Sequence, residues 1–85
     1  MSNIKIEVVD RGWIFIGHTF NSKESTLIKN AYIIRKWGTS EGLGELCIKG
    51  KLEDTILDKC LDIEIPSESI IAFFDCDQEK WNKII

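Results

Sequence analysis

The chain has 85 residues, of which 44% are hydrophobic and 29% charged, with a formal net charge of −3. This length leaves room for one domain, residues 1–85, and the composition is that of a folded globule and not of a disordered chain. The negative net charge makes non-specific binding to duplex DNA unfavourable, because no overall positive field attracts the phosphate backbone.

The apolar runs predict no membrane association. The longest, such as residues 13–16 and 70–74, have about five residues, whereas a spanning helix needs roughly 20. Residues 1–7 lack the features of a secretory signal. The three cysteines form no CxxC pair, which favours neither a disulfide framework nor a metal site and suggests small buried side chains. We therefore expect a cytoplasmic protein without a metal or other cofactor.

Strand patterns dominate the first half of the chain. Residues 4–8 alternate apolar and charged side chains, the period of a half-buried strand. Residues 13–20 are rich in aromatic and β-branched side chains, and Gly17 indicates a bend or bulge. A third strand is expected over residues 26–36, with an irregularity near Asn30. Since the second strand is apolar on both faces, we expect it to be central, strongly curved or at an oligomer contact.

The second half gives a shorter series of elements. These are a loop over residues 37–44, a strand over 45–49, an ambiguous segment over 52–59, strands over 61–65 and 69–74 separated by a tight corner at Ser67 and Glu68, and a short helix over 77–85 that Asp75 or Asp77 would cap. Together the elements predict a mainly β fold: a small, strongly bent antiparallel barrel of five to six strands with a short C-terminal helix.

The spacing of three segments resembles the SH3-like and Sm-like small barrels. The segments are GWIFIGHTF, LIKNAYII and DIEIPSESIIAFF, in which a bent strand with a central glycine is followed by I-x-x-A and then by I-P-x-x-x-I. The resemblance implies a ring-forming or RNA-binding module as one possible function. The family's RNA-contacting loop, Asp-x-Asn followed by a basic residue and glycine, has no convincing counterpart here.

A second resemblance covers most of the chain. Residues 35–46 read R-K-W-G-T-S-E-G-L-G-E-L, and Asp75, Cys76 and Trp81 follow downstream. This pattern is similar to that of a family of short, functionally unassigned bacteriophage and prophage proteins. The resemblance implies a phage or prophage setting, in which small proteins often act on host machinery or immune signals, and it places the protein in the host cell cytoplasm.

The sharpest local feature is the segment of residues 38–44, which we call the glycine-rich loop. Two interpretations of it stay open. Its glycines permit close backbone approach and its hydroxyls offer hydrogen bonds, so it is either a tight β-connection or a binding loop for a phosphate-bearing or peptide ligand. It matches neither a Walker loop nor a dinucleotide fingerprint. The candidate ligand-binding residues are Arg35, Trp37, Gly38, Thr39, Ser40, Gly42 and Gly44.

The tryptophans and the lone histidine receive separate interpretations. Trp13 is expected in the core, Trp37 at a ligand or subunit contact, and Trp81 as the anchor of the C-terminal segment. His18 has no nucleophile or carboxylate near it in sequence, so a structural role is favoured over a catalytic one. Asp75 and Asp77 alone form an incomplete set of ligands for a divalent cation, and helix capping is the favoured role.

The sequence thus predicts a binding protein and not an enzyme. We expect a phage-encoded homo-oligomer that captures a host protein or a small nucleotide-like signal, in an anti-defence or host-takeover role. The alternatives are an Sm-like RNA-binding module and a structural phage component.

Overall fold

The computed structural model describes residues 3–85, which form six antiparallel strands in one sheet and two short helices. The strands are β1 (Asn3–Val9), β2 (Ile14–Asn21), β3 (Ser25–Lys36), β4 (Ile56–Lys59), β5 (Ile63–Pro66) and β6 (Ile70–Asp75), and the helices are α1 (Leu43–Lys49) and α2 (Gln78–Asn82). Two 3₁₀ turns, Asp10–Gly12 and Ser67–Ser69, join β1 to β2 and β5 to β6.

The sheet follows the order β4-β3-β2-β1-β6, and β5 also pairs with β3. The long strand β3 pairs with β2 along one edge and divides its other edge between β5, near Ser25–Ile28, and β4, near Tyr32–Lys36. No ladder joins β5 to β6 among the described strands, so the sheet is not closed. The predicted mainly β fold with six antiparallel strands and a short C-terminal helix is confirmed.

Two irregularities bend β2 and β3 where the sequence predicts them. The pairing of β2 with β3 shifts between Ile16 and His18, at Gly17. A Cβ atom on Gly17 would lie 2.6 Å from Cγ2 of Ile28, so only glycine allows the strands to approach this closely. Asn30 has a φ of 57°, and its backbone N–H donates to Oδ1 of Asp62 at 2.9 Å.

Both faces of the sheet bury apolar side chains, which explains the two-sided pattern of β2. On one face Ile16 packs with other strand residues against side chains of α1 and α2, among them Leu46 and Trp81. On the other face Phe15 packs with Ile28 and the remaining inward residues of the curved sheet. The chain's own helices therefore cover the face that carries Ile16, and the curved sheet encloses the face that carries Phe15. The two-sided apolar pattern of β2 does not require an oligomer contact.

Two sequence predictions are wrong. Residues 45–49 belong to helix α1 and not to a strand, and the helix places Leu46 and Cys47 in the core. The second is Trp13, expected in the core, which precedes β2 and is 52% exposed. Strand β4 lies within the ambiguous segment 52–59.

The C-terminal segment is anchored as the sequence predicts. Trp81 is completely buried, and its Nε1 donates to the backbone oxygen of Leu46 at 3.1 Å. Asp77 caps α2, because its Oδ1 accepts from the backbone N–H of Lys80 at 3.0 Å. The indole therefore ties the two helices together, and the short helix does not depend on its own propensity.

Neither helix of residues 3–85 is long and apolar enough to cross a membrane. The cysteines are free thiols: Cys47 and Cys76 are buried and Cys60 is partly buried. In the same residues, no group of three His, Cys, Asp or Glu side chains is arranged to hold a metal ion.

Candidate functional site

The glycine-rich loop turns its backbone donors toward its own carboxylate. The N–H groups of Ser40 and Glu41 both donate to Oε1 of Glu45, at 3.1 and 2.9 Å. Those hydrogen bonds, that from Glu41 foremost, lower the pKa of the Glu45 carboxyl below its usual 4.5. Two amides that an external anion would use are thus occupied by a side chain from the first turn of α1.

The remaining loop residues make structural contacts. Thr39 donates its hydroxyl to the backbone oxygen of Gly42 at 2.9 Å. Gly38 has a φ of 69° and lies so close to the backbone of Asp54 that a Cβ atom would overlap its carbonyl carbon. Thr55 Oγ1 donates to the backbone oxygen of Trp37 at 2.7 Å. The loop is therefore packed against the segment that precedes β4.

Of the charged and aromatic residues of the predicted site, Arg35 already has an ionic partner and Trp37 remains partly exposed. Arg35 forms an ion pair with Asp58 on β4, with Nε and Oδ2 2.9 Å apart. Trp37 is 41% exposed and remains accessible. Gly44 lies inside α1 and not in the loop. The predicted binding role of this loop stays a prediction, with Trp37 as the one aromatic side chain among the predicted ligand-binding residues.

A second candidate site lies around Trp13, which immediately precedes β2. Its walls come from residues near the two 3₁₀ turns and from β2, β3 and β5, and we call it the Trp13 groove. The groove has a volume of about 370 Å³. Its lining residues are Val9, Asp10, Trp13, Phe15, Ile33, Cys60, Ile63, Glu64, Ile65, Pro66 and Ser69.

The Trp13 groove is apolar with an acidic rim. The indole of Trp13 stacks on the ring of Phe15, with centroids 6.2 Å apart and planes inclined by 10°. Phe15 itself is buried, so it supports the half-exposed indole, which presents a fixed apolar surface in the same groove as Pro66. Among residues 3–85, two charged side chains line the groove, Asp10 and Glu64, and both are acidic.

Sequence reasoning missed this groove. Its residues come from separate stretches of chain that are brought together by the pairing of β3 with both β2 and β5. The sequence showed only that Trp13 follows a turn and that Pro66 ends a strand. No spacing rule, however, connects Trp13 with Pro66 along the chain.

No family model, curated protein or solved structure matches the chain.

Proposed function

We propose that this chain is a phage-encoded, non-enzymatic binding protein that captures a host protein through the Trp13 groove. The groove accepts an extended segment of the partner that carries an apolar side chain next to a basic residue. The resemblance of residues 35–46 to phage proteins supports the setting. The observation that carries the proposal is the half-exposed Trp13 indole, held in place by stacking on Phe15.

An exposed indole on a buried ring supports a contact surface for physical reasons. Tryptophan exposes a large apolar area to water, and burying it against a partner contributes more than burying most other side chains. Because Phe15 fixes the ring, little side-chain entropy is lost on binding. The apolar part of the partner segment would lie across Trp13 and Pro66.

The charge of the rim supports a basic partner. Asp10 and Glu64 are exposed, and the Glu64 carboxylate accepts a hydrogen bond from Ser25 Oγ at 2.7 Å. A lysine or arginine next to the apolar side chain would be attracted to both carboxylates, whereas a phosphate backbone would be repelled. The same charges make the Sm-like RNA-binding alternative less favourable at this surface.

The glycine-rich loop gives weaker support to a nucleotide-like ligand. Two of its backbone N–H groups already donate to the Glu45 carboxylate, and Arg35 already forms an ion pair with Asp58. A phosphate would have to displace one carboxylate or the other. We therefore favour a protein partner over a nucleotide-like signal, and the groove over the loop.

The test is selection from a displayed library of random peptides, followed by measurement of affinity for the enriched sequences. We expect enrichment of an aromatic or aliphatic residue beside lysine or arginine. Trp13→Ala should weaken binding about tenfold or more, which corresponds to about 1.4 kcal/mol. Trp37→Ala is the matched control, since it removes another partly exposed indole, one that does not line the groove.

Two results would contradict the proposal. One is an enriched sequence that is acidic, because it would oppose the charge of the rim. The other is a peptide that binds the Trp13→Ala variant as well as the unchanged protein but loses affinity for the Trp37→Ala variant. That second result would return the binding role to the glycine-rich loop.

A further inference from the structure

Strand β1, which is paired along both edges, buries a carboxylate whose Oε2 has no partner. Glu7 lies between Phe15 of β2 and Phe73 of β6 in the two ladders and is 1% exposed. Over residues 3–85, Oε2 of Glu7 is the one buried side-chain nitrogen or oxygen that forms no hydrogen bond. Because leaving a buried polar atom unpaired is costly, this oxygen indicates a missing partner.

Lys5 lies close to Glu7 along β1, but its ammonium contacts other groups. The ammonium of Lys5, two residues before Glu7, lies 3.8 Å from Oδ1 of Asp75 and 4.7 Å from the ring centroid of Phe73. Burial raises the pKa of Glu7 to about 7, Lys5 opposes that rise, and Asp75 adds to it. Lys5 thus moderates the charge of Glu7 without forming an ion pair with it.

Glu7 lines a pocket of about 500 Å³, distinct from the Trp13 groove. The pocket lies between the turn joining β2 to β3, the 3₁₀ turn Ser67–Ser69, and β6. We call it the Glu7 pocket. Its lining residues are Glu7, Asn21, Ser22, Thr26, Ser67, Ile70, Ile71, Ala72 and Phe73.

The hydroxyl groups of the pocket have already used their donors. Thr26 donates to Oδ1 of Asn21 at 2.9 Å, Ser22 donates to the backbone oxygen of Ser25 at 2.9 Å, and Ser67 to that of Lys23 at 3.3 Å. Each hydroxyl oxygen keeps lone pairs. The wall therefore offers mainly acceptors, and a ligand must bring the hydrogen-bond donors.

We propose that the Glu7 pocket binds the ammonium group of an alkylamine, with the Glu7 carboxylate as its counter-ion. One carboxylate suits the compact point charge of an ammonium, whereas a guanidinium demands two parallel bonds in a fixed planar geometry. The exposed Phe73 ring already has one ammonium, that of Lys5, near its face. Ile70 and Ile71 would contact the hydrocarbon part of the ligand.

The ammonium can come from two sources, a free small amine or a lysine side chain of a polypeptide. The experiment uses one probe for each: pentylamine, and lysine blocked as its acetyl and methylamide derivative. Pentanol serves as the neutral control because it matches pentylamine in length but lacks the charge. Each compound is titrated into ¹⁵N-labelled protein at pH 8, where the Glu7 carboxyl is largely ionised.

We expect saturable shifts of the backbone amides of Glu7, Ser67 and Phe73 with pentylamine and none with pentanol. Glu7→Gln, which keeps the size of the side chain and removes its charge, should weaken pentylamine binding about tenfold or more. Glu79→Gln removes an exposed carboxylate of α2 and should leave binding unchanged. A response to blocked lysine as strong as that to pentylamine assigns the site to a protein partner, and a response to pentylamine alone assigns it to a free amine.

Equal binding of pentanol and pentylamine would overturn the proposal, as would unchanged affinity in a folded Glu7→Gln variant. The dispersion of the amide spectrum shows whether that variant is folded. These outcomes are independent of the Trp13 groove, since none of the three reporting residues lines it.

Discussion

Oε1 of Glu45 lies 2.9 Å from the backbone nitrogen of Glu41, across the turn that leads into α1. The other carboxylate oxygen, Oε2, lies 3.3 Å from Nζ of Lys49, one helical turn further on. One side chain therefore joins the glycine-rich loop to the helix. It fills from within the chain the kind of backbone concavity that binds anions in other proteins.

Replacing Glu45 with alanine should loosen this loop and lower the melting temperature. The backbone donors of Ser40 and Glu41 would lose their acceptor, so their amide resonances should shift and exchange faster with solvent. Because the pKa of Glu45 is lowered in the folded state, its contribution is present above pH 4.5 and disappears as the pH falls through the folded value. Thermal melts at neutral and acidic pH measure both effects.

Glu41→Ala is the matched control for that experiment. It removes a neighbouring exposed carboxylate but keeps the backbone N–H that donates to Glu45. A loss of stability as large as that of Glu45→Ala would show that net charge, and not the hydrogen bonds, stabilises the loop. If Glu45→Ala also gains measurable affinity for inorganic phosphate, the loop is confirmed as a concavity that its own carboxylate blocks.

The glycines of the loop should differ sharply in their tolerance of alanine. Gly38→Ala places a methyl group into the backbone of Asp54 at a positive φ, and we expect a loss of about 3 kcal/mol in the free energy of unfolding. Gly44→Ala meets open space inside α1, so it should gain up to about 1 kcal/mol from helix propensity. Urea denaturation distinguishes the two, and equal effects would contradict the packing described for Gly38.

Trp81 should be the most sensitive position of the C-terminal segment. Trp81→Ala removes a completely buried indole, and we expect a loss of about 3–5 kcal/mol in stability. Trp81→Phe keeps much of the packing but loses the hydrogen bond to Leu46, so its cost should be clearly smaller. The backbone oxygen of Leu46 still accepts from the backbone N–H of Gly50 at 3.1 Å, which limits the cost of losing the indole hydrogen bond. Chemical denaturation followed by circular dichroism compares them.

The buried Glu7 should make the fold less stable at alkaline pH. Its folded pKa, about 7, exceeds the usual 4.5, so the folded state binds the proton more tightly than the unfolded state. The contribution is complete below pH 4.5 and is lost as the pH rises through 7. Screening by solvent in the pocket and by Lys5 reduces the effect to roughly 1–2 kcal/mol.

Glu7→Gln should remove this part of the pH dependence. The variant should be more stable than the unchanged protein at pH 8 and similar to it at pH 5. Denaturant titrations at the two pH values provide the measurement. A difference between the two proteins that stays constant across this range would show that Glu7 does not titrate within it.

The strands were largely predictable from the sequence because alternation over residues 4–8 and 63–65 indicates a buried face. The predicted start at Leu61 was too early, since that side chain is 85% exposed and precedes β5. Helix α1 was not predictable in this way, since seven residues give only two turns of periodicity. Its start is stabilised by hydrogen bonds from the backbone N–H groups of Ser40 and Glu41 to the Glu45 carboxylate. These bonds depend on the backbone conformation of the loop, which the residue types alone do not reveal.

The candidate sites were less predictable than the fold. Alternation places Glu7 with Lys5 on the polar face of β1, where a solvent-exposed carboxylate is expected. The flanking strands β2 and β6 instead place an aromatic residue on each side of it, Phe15 and Phe73. Trp13 was assigned to the core because tryptophan usually is buried, yet its place just before β2 leaves it above the buried Phe15.

The division of one edge of β3 between β4 and β5 has a consequence for how the molecule opens. Every strand except β1 and β6 bonds directly to β3, so separating β3 from its neighbours dismantles most of the sheet at once. The amide hydrogens in the middle of β3 should therefore exchange only when the whole domain unfolds, while those of β6 are released by smaller, local fluctuations.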